Sequence, residues 1–233
     1  MKLDILAIGV HPDDVELSAS GTILKHIALG KKVGLLDLTL GELGTRGNAI
    51  LRTEEATKAA KILGVSIREQ LTMADGFFEN NETHQKQIIE IIRKYQPEIV
   101  LCNAVSDRHP DHGRAAKLTA DACFYSGLAK IDTNQAPWRP KAVYHYIQDN
   151  FIEPDFVIDI TPFMEKKMES IMAYSSQFFD PNSKEPETPI STKNFMEYVK
   201  AKGSLFGRAI NVDYAEGYTV NRYIGVENLF DLK

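Results

Sequence analysis

The first half of the sequence alternates short apolar runs of strand length with longer segments whose apolar residues recur at helical spacing. The predicted strands are 3–10, 33–40, 71–73 and 99–103, and the predicted helices are 17–29, 53–63, 85–95 and 115–125. Continuous apolar runs of this length indicate buried strands, and apolar residues three or four positions apart indicate amphipathic helices. Strands and helices in alternation are typical of right-handed βαβ units. We therefore expect an α/β fold, a Rossmann-like three-layer sandwich with a mainly parallel sheet.

The last third of the chain is less regular. It contains predicted strands at 141–147 and 156–160 and predicted helices at 163–174 and 192–206. Between these helices lies a segment rich in proline and charge, 180–189, and loops of that length are often binding loops. Since 233 residues with 43% hydrophobic content are ordinary for one globular unit, we expect a single domain over 1–233.

Charge and hydrophobicity exclude several classes of protein. A net charge of -5 without a polybasic patch argues against nucleic-acid binding, which needs a basic face. No run approaches the roughly 18 apolar residues of a membrane span, and Asp4 interrupts the N-terminal apolar run, which we interpret as a strand. Cys102 and Cys123 lack any CxxC spacing and are expected to be buried. A cytoplasmic protein is the expectation.

Two dense polar motifs follow predicted strands. The motif HPDD occupies 11–14, directly after the first strand, and HPDH occupies 109–112, shortly after the strand at 99–103. Ligands of open α/β sheets bind beyond the carboxyl ends of the strands, so the two motifs are expected to converge there. The first turn also lacks G-x-G-x-x-G, which disfavours a dinucleotide.

The residue types in these motifs indicate a metal site. Two imidazoles and one carboxylate with an open position are the ligands of catalytic zinc and also of non-haem iron. His11, Asp14 and His112 are the predicted ligands of Zn²⁺, with Fe²⁺ as the alternative ion.

Three further residues are predicted to be catalytic. Asp13 is expected to take a proton from water, His109 to stabilise an oxyanion or protonate a leaving amine, and Asp111 to orient His109. The alternative is structural: Asp13 and Asp14 would cap a helix, and Pro110 would be a first-turn proline beside solvated histidines.

These motifs resemble the PIG-L/LmbE-type metal-dependent N-deacetylases. The similarity extends over HPDD with Glu16, the glycine-rich stretch 39–47, the DRHPDH motif at 107–112 and 174–177. The nearest branch is the bacillithiol-pathway deacetylases, which the segment 214–218 resembles. The resemblance implies the same assignment of metal ligands, general base and charged histidine.

The resemblance also implies substrate contacts. Arg52 and Asp75 are expected to meet the substrate, with Glu42 and Arg108 as further candidates. For Arg52 the alternative is a surface ion pair near Glu55, and for Asp75 it is a turn residue.

Two more residues are compared with relatives. Arg139 is expected either to support Asp111 or to lie on the surface. Phe195 aligns where relatives have a mobile tyrosine, and Tyr198 lies one turn later. From this alignment, a tyrosine hydrogen bond to the oxyanion is expected to be absent. The alternative is that Phe195 is only a core aromatic.

The expected function is a zinc-dependent hydrolase that removes the N-acetyl group from N-acetylglucosaminyl malate. The alternatives are an amidase for mycothiol-like or bacillithiol S-conjugates, a deacetylase of another N-acetyl amino sugar, and a non-enzymatic metal- or nucleotide-binding module. The expected partner is a small amino-sugar molecule, with a homo-oligomer left open.

Overall fold

One seven-stranded sheet organises the chain. In the computed structural model, which describes residues 1–231, the strands lie in the order β3-β2-β1-β4-β5-β7-β6. Their bounds are β1 (Ile5–Gly9), β2 (Val33–Asp37), β3 (Ile67–Gln70), β4 (Ile99–Cys102), β5 (Ala142–Tyr146), β6 (Phe156–Asp159) and β7 (Ala215–Thr219). Strands β1 to β5 pair in parallel, and β7 pairs antiparallel with β5 and β6. The predicted mainly parallel α/β fold is confirmed.

Helices cover both faces of the sheet. They are α1 (Asp14–Ala28), α2 (Ala49–Leu63), α3 (Glu82–Tyr95), α4 (Pro110–Tyr125), α5 (Met164–Met172) and α6 (Phe195–Ala209), with 3-10 turns at Thr161–Phe163 and Leu229–Asp231. Alternate residues of β1 enter different cores, because successive side chains of a strand point to opposite faces. Leu6 packs with α3 and α4, whereas Ile5 packs with α1. This arrangement gives the three layers.

Helices α1 to α4 all begin three to five residues earlier than their apolar periodicity indicates, and α2 and α4 show why. Helix α2 begins at Ala49, where the Asn48 side chain accepts a hydrogen bond from the Leu51 backbone N–H. Helix α4 begins at Pro110, five residues before the predicted start, because proline fits the first turn, where no N–H partner is needed. Caps and first-turn residues are polar or lack a donor, so periodicity alone misses them.

The predicted strand at 71–73 is wrong, and the strand is instead β3. Its sequence, IREQ, lacks a continuous apolar run because β3 lies at the sheet edge and Arg68 and Gln70 bond to Asp37. Strand β7 was not predicted. Its centre is Gly217, whose added Cβ would lie 3.0 Å from Ile147, so close packing rather than an apolar side chain fills that position.

The structure can be compared with the expectations for the two cysteines and for a membrane span. Cys102 and Cys123 are both buried, as predicted. Among residues 1–231, no helix combines the length and apolar character needed to cross a membrane.

Candidate metal and catalytic site

A cavity of about 350 Å³ opens beyond the carboxyl ends of the parallel strands. It has the size of a small-molecule site. The HPDD turn between β1 and α1 and the start of α4 bring the two motifs to this cavity, as expected from the strand order. Of the ten predicted site residues, eight line it: His11, Asp13, Asp14, Arg52, Asp75, Arg108, His109 and His112. Glu42 and Asp111 lie outside the lining.

The carboxylate of Asp14 lies between two imidazoles. Its Oδ1 is 3.1 Å from Nε2 of His112, and its Oδ2 is 3.8 Å from Nδ1 of His11. Ligands at about 2.0–2.2 Å from a tetrahedral zinc ion are separated by about 3.4 Å, so these spacings suit one ion. The predicted ligand set is therefore sterically compatible with a metal, and its role as ligands remains a prediction.

Each imidazole has its other nitrogen paired with a carboxylate. Nε2 of His11 lies 2.9 Å from Oδ1 of Asp75, and Nδ1 of His112 lies 2.5 Å from Oδ2 of Asp107. Metal-binding histidines almost always donate their second N–H to such a partner, which fixes ring orientation and tautomer. The pattern leaves Nδ1 of His11 and Nε2 of His112 for an ion.

The site stabilises positive charge. Burial alone would lower the pKa of His11, but the Asp111 and Asp75 carboxylates raise it to about 10. Burial likewise opposes a charged His112, yet Asp14 and Asp107 raise its pKa to about 9. A cluster of buried acids that favours protonated imidazoles is also electrostatically suited to a divalent cation, which competes with those protons.

The Asp14 carboxylate is held by more residues than the motifs indicate. Its Oδ2 accepts from the Val10 and His11 backbone N–H groups at 3.0 and 2.9 Å and from Asn103 Nδ2 at 2.9 Å. Gln148 Nε2 donates to Oδ1 at 3.1 Å. Burial would raise the pKa of Asp14, but its partners, His112 foremost, hold that pKa far below the usual range.

Sequence reasoning missed three residues that hold the predicted metal ligands. Asn103 and Gln148 contact Asp14, and Asp107 contacts His112. Asp107 stands inside the DRHPDH motif, but nothing in its spacing pairs it with His112. Asn103 directly follows β4, and Gln148 follows β5 after one residue. Position just after a parallel strand was the available signal, because these strands end at the cavity.

Other combinations of donors also lie close together. One ligand atom each from His11, His109 and His112 falls within 4.8 Å of the others, and so does one each from His11, Asp75 and Asp111. The Asp75 and Asp111 atoms face the outer nitrogen of His11. We interpret that acidic group as the support of His11, because the outer nitrogen already has a partner.

Asp13 also lines the cavity. It occupies the N-cap position of α1, but its side chain makes no capping hydrogen bond, so the purely capping alternative is wrong for this residue. Instead, its Oδ2 accepts from Arg52 Nη2 at 3.1 Å. Burial raises the pKa of Asp13, and the Arg52 charge opposes this, leaving it at about 7.

His109 also lines the cavity, with its ring 4.8 Å from that of His11 and 5.1 Å from that of His112. Its Nδ1 accepts from the backbone N–H of Asp111 at 3.3 Å, which leaves Nε2 as the donor of a neutral ring. Burial lowers the pKa of His109, and the charges of His11 and His112 lower it further. Asp111 thus orients His109 through its backbone.

The Asp111 carboxylate has other partners. It accepts from the Gly76 backbone N–H at 2.9 Å and from Arg114 Nη1 at 3.1 Å. The prediction that Arg139 supports Asp111 is wrong, because Arg139 is exposed and donates to the Phe124 carbonyl. Its alternative position, on the surface, is the one observed. Arg114, one turn along α4, provides the cation instead.

The predicted substrate residues have varied surroundings. Asp75 accepts from the Leu43 backbone N–H at 3.0 Å in addition to its His11 contact. Glu42 is exposed, and its Oε1 accepts from the Asp75 backbone N–H at 2.8 Å. Arg108 lies at the rim, with Nε 2.5 Å from Asp149 Oδ2. Their contact with substrate remains a prediction.

The alternative for Arg52, a surface ion pair near Glu55, is wrong. Arg52 is 5% exposed and turned toward Asp13, while the buried Glu55 carboxylate accepts from Ser175 and Ser176. Arg52 and Glu55 are thus both buried on α2, but they form hydrogen bonds with residues of different loops.

Phe195 lines the cavity at the first turn of α6 and stacks on Phe178, with ring centroids 6.0 Å apart. It therefore contributes an apolar wall. Tyr198 is not among the lining residues, and its hydroxyl donates to the carbonyl of the lining residue Asp149 at 2.5 Å.

Comparison with known proteins identifies relatives of this chain. The model of the PIG-L family, described as GlcNAc-PI de-N-acetylase, matches residues 6–123. A diacetylchitobiose deacetylase of Thermococcus kodakarensis is 30% identical over 229 residues, covering 91% of this chain and 81% of the relative. A probable N-acetyl-α-D-glucosaminyl L-malate deacetylase 2 of Bacillus anthracis is 27% identical, covering 75% and 81%.

A solved structure is similar along nearly the whole chain. A conserved protein of Thermus thermophilus superimposes with a TM-score of 0.87 at 30% identity, covering 97% of this chain and 98% of that one. The resemblance found in the motifs is thereby confirmed, and this chain belongs to the PIG-L family.

Proposed function

We propose that this protein is a zinc-dependent hydrolase that removes the acetyl group from an N-acetylglucosamine conjugate. Its family and relatives are deacetylases of N-acetyl amino sugars. The observation that carries the proposal is the division of two adjacent carboxylates: Asp14 lies between His11 and His112, whereas Asp13 turns to Arg52 and stands apart from the two imidazoles. A site that only bound a metal would not need the second acid.

The residues fit a resident cation. His11, Asp14 and His112 would hold it, with Asp75 and Asp107 orienting the imidazoles. Zinc is the ion we propose, with Fe²⁺ as the alternative, because imidazole and carboxylate ligands suit both. When bound, the ion would supply Lewis-acid polarisation of the acetyl carbonyl and lower the pKa of the attacking water.

The chain's own groups carry the proton transfers. Asp13 accepts a proton from water as the water oxygen attacks the acetyl carbon. Nε2–H of His109 donates a hydrogen bond to the oxygen that becomes negative in the tetrahedral intermediate. The C–N bond then breaks, the nitrogen leaves with a proton returned from the acid, and acetate and a free amine are released.

The charged residues that line the cavity indicate which group is attached to the N-acetylglucosamine of the substrate. N-acetylglucosaminyl malate is the substrate proposed from the motifs, and its two carboxylates would require cations. Of the described lining residues, the arginines are Arg52 and Arg108, and each is already paired, with Asp13 and Asp149. This pairing favours a second candidate, a conjugate with a neutral sugar such as diacetylchitobiose.

The wall beside the site supports that second candidate. The apolar side chains of the lining are Leu17, Leu43, Pro189, Ile190 and Phe195, and Leu17, Ile190 and Phe195 pack against one hydrophobic cluster. Such side chains pack against the carbon face of a neutral sugar ring without needing charge.

An amine-release assay tests the proposal. Purified protein is stripped by a chelator, reconstituted with Zn²⁺ or Fe²⁺, and given N-acetylglucosaminyl malate, diacetylchitobiose and a bacillithiol S-conjugate in parallel. We expect metal-dependent release of amine from an N-acetylglucosamine conjugate, and a loss of at least about 10²-fold in Asp13→Asn. Metal-independent turnover, or an Asp13→Asn enzyme as fast as the wild type, would contradict it.

We further propose a cytoplasmic enzyme that forms one domain over 1–233, with a homo-oligomer left open. The buried free cysteines are compatible with a reducing compartment. Sedimentation of the purified protein at micromolar concentration distinguishes a monomer from a homo-oligomer.

A further inference from the structure

The guanidinium of Arg52 is fastened beneath the HPDD turn. From α2 it donates to the Pro12 carbonyl at 2.6 Å through Nη2 and to the Gly41 carbonyl at 3.3 Å through Nη1. The same Nη2 donates to Asp13 Oδ2 at 3.1 Å, and both side chains of this ion pair are more than nine-tenths buried. Arg52 therefore joins the catalytic turn to the glycine-rich loop that follows β2.

The turn that Arg52 holds has a strained backbone. Asp13 has φ 114° and ψ -24°, a region that residues with a Cβ rarely adopt. A conformation of that kind costs about 1–3 kcal/mol and persists only where its surroundings hold it. Arg52 contacts the turn on both sides of this strained φ, at the preceding carbonyl and at the Asp13 carboxylate.

The loop after β2 is shaped around the guanidinium. Gly41 has φ +65°, and a Cβ built on it would lie 2.1 Å from Arg52 Nη1 and 2.6 Å from Cζ. A Cβ on Gly44 would lie 3.2 Å from the same Nη1. Because these glycines carry no side chains, the loop leaves room for the Arg52 guanidinium.

We propose that Arg52 is a positioning residue that fixes the direction of the Asp13 carboxylate, rather than a ligand of the substrate. This inference rests on the proposed function, in which Asp13 takes the proton. Substrate recognition would need guanidinium donors aimed at the cavity, whereas the Nη atoms of Arg52 donate to Pro12, Asp13 and Gly41. Its Nε is buried without a hydrogen-bond partner among the described residues.

The two roles predict opposite kinetics. Loss of a positioning residue misplaces the base in the transition state and lowers kcat, whereas loss of a substrate ligand raises KM. A misplacement of about 1 Å costs on the order of 10²-fold in rate. We therefore expect Arg52→Lys and Arg52→Gln to lose about 10²-fold in kcat while KM stays within about twofold.

A variant that keeps the arginine gives the sharper test. Gly41→Ala pushes a Cβ into the guanidinium, so we expect it to lower kcat in the same way without removing any charge. Gly64→Ala, which has φ +75° and whose added Cβ meets nothing within 4 Å, is the matched control for backbone strain, and Arg139→Gln, outside the cavity, is the control for loss of a guanidinium. Zinc content by mass spectrometry should remain one ion per chain in all of them.

A stability measurement separates failure of this inference from failure of the proposed function. In a double-mutant cycle of Asp13→Asn and Arg52→Gln, we expect the unfolding equilibrium constant to show coupling of at least about fivefold. A wild type inactive on every N-acetylglucosamine conjugate, with that coupling present, would overturn only the proposed function. Raised KM with unchanged kcat in the Arg52 variants, a fully active Gly41→Ala, or additive stabilities would overturn the positioning role.

Discussion

Nδ1 of His112 lies 2.5 Å from Oδ2 of Asp107, five positions earlier in the chain. The same carboxylate is anchored by the Asn150 backbone N–H, which donates to its Oδ1 at 2.6 Å. The pair fixes the His112 ring so that Nε2 faces Asp14.

Asp107→Asn should weaken metal binding without removing a ligand. Loss of such an outer partner typically costs 10–100-fold in metal affinity, because the ring loses its orientation and part of its basicity. Zinc affinity is measured by competition with a chromogenic chelator. Asp121→Asn, on the helix that carries His112 but paired with Lys117 and Asn80, is the control. Equal affinities of the Asp107 variant and the wild type would sink the assignment of His112 as a ligand.

The strain at Asp13 predicts an inverted preference between glycine and alanine. Asp13→Gly and Asp13→Ala both remove the carboxylate and leave Arg52 unpaired, so their difference isolates the backbone. Because φ is 114° there, we expect the glycine variant to be more stable by about 1 kcal/mol.

Denaturant unfolding of the two Asp13 variants measures this difference. At Asp121, inside α4, the same two substitutions should differ in the opposite direction, with alanine more stable by about 1 kcal/mol. An alanine variant that is the more stable one at both sites would show that the turn is relaxed.

The sequence predicted the fold and the two motifs because their signals are local. Apolar runs identified most strands of the parallel sheet, and the ends of those strands brought His11 and His112 together. The parts that were missed depend on contacts distant in sequence. Strand β7 is specified by packing around Gly217, and β3 is an edge strand whose polar residues bond to Asp37.

Site residues show the same limit. The motif spacing indicated which residues stand at the cavity, but it could not indicate partners supplied by other loops. Gln148 reaches Asp14 from 134 positions away, and Arg52 reaches Asp13 from 39. A guanidinium can bind substrate or another residue equally well, so its role is decided only by which oxygens surround it.

Gly21→Ala tests the packing of α1 against the segment that follows β6. A Cβ at Gly21 would lie 2.7–2.9 Å from three side-chain atoms of Ile160, which is fully buried. Helix propensity alone predicts a gain of about 1 kcal/mol, whereas overpacking predicts a loss of about 1–3 kcal/mol. We expect the loss, measured as the free energy of unfolding. Gly225→Ala should stay within about 0.5 kcal/mol of the wild type, and a more stable Gly21→Ala would contradict the close contact.

Lys202 should make stability depend on pH in the alkaline range. Its ammonium donates to the Gln148 carbonyl, and burial together with the nearby Lys167 charge lowers its pKa to about 8, although Asp149, Asp107 and Glu216 oppose this. An unfolded lysine titrates near 10.4.

The sign of the Lys202 effect follows from the protons bound. Between about pH 8 and pH 10.4 the unfolded chain holds the lysine proton and the folded chain does not, so this residue's contribution to stability rises with pH. Lys202→Met removes the contribution. We therefore expect the free energy of unfolding of the wild type, minus that of Lys202→Met, to increase from about pH 8 to about pH 10 in urea titrations. With the exposed Lys130→Met the same difference should stay constant, and a constant difference for Lys202→Met would contradict the lowered pKa.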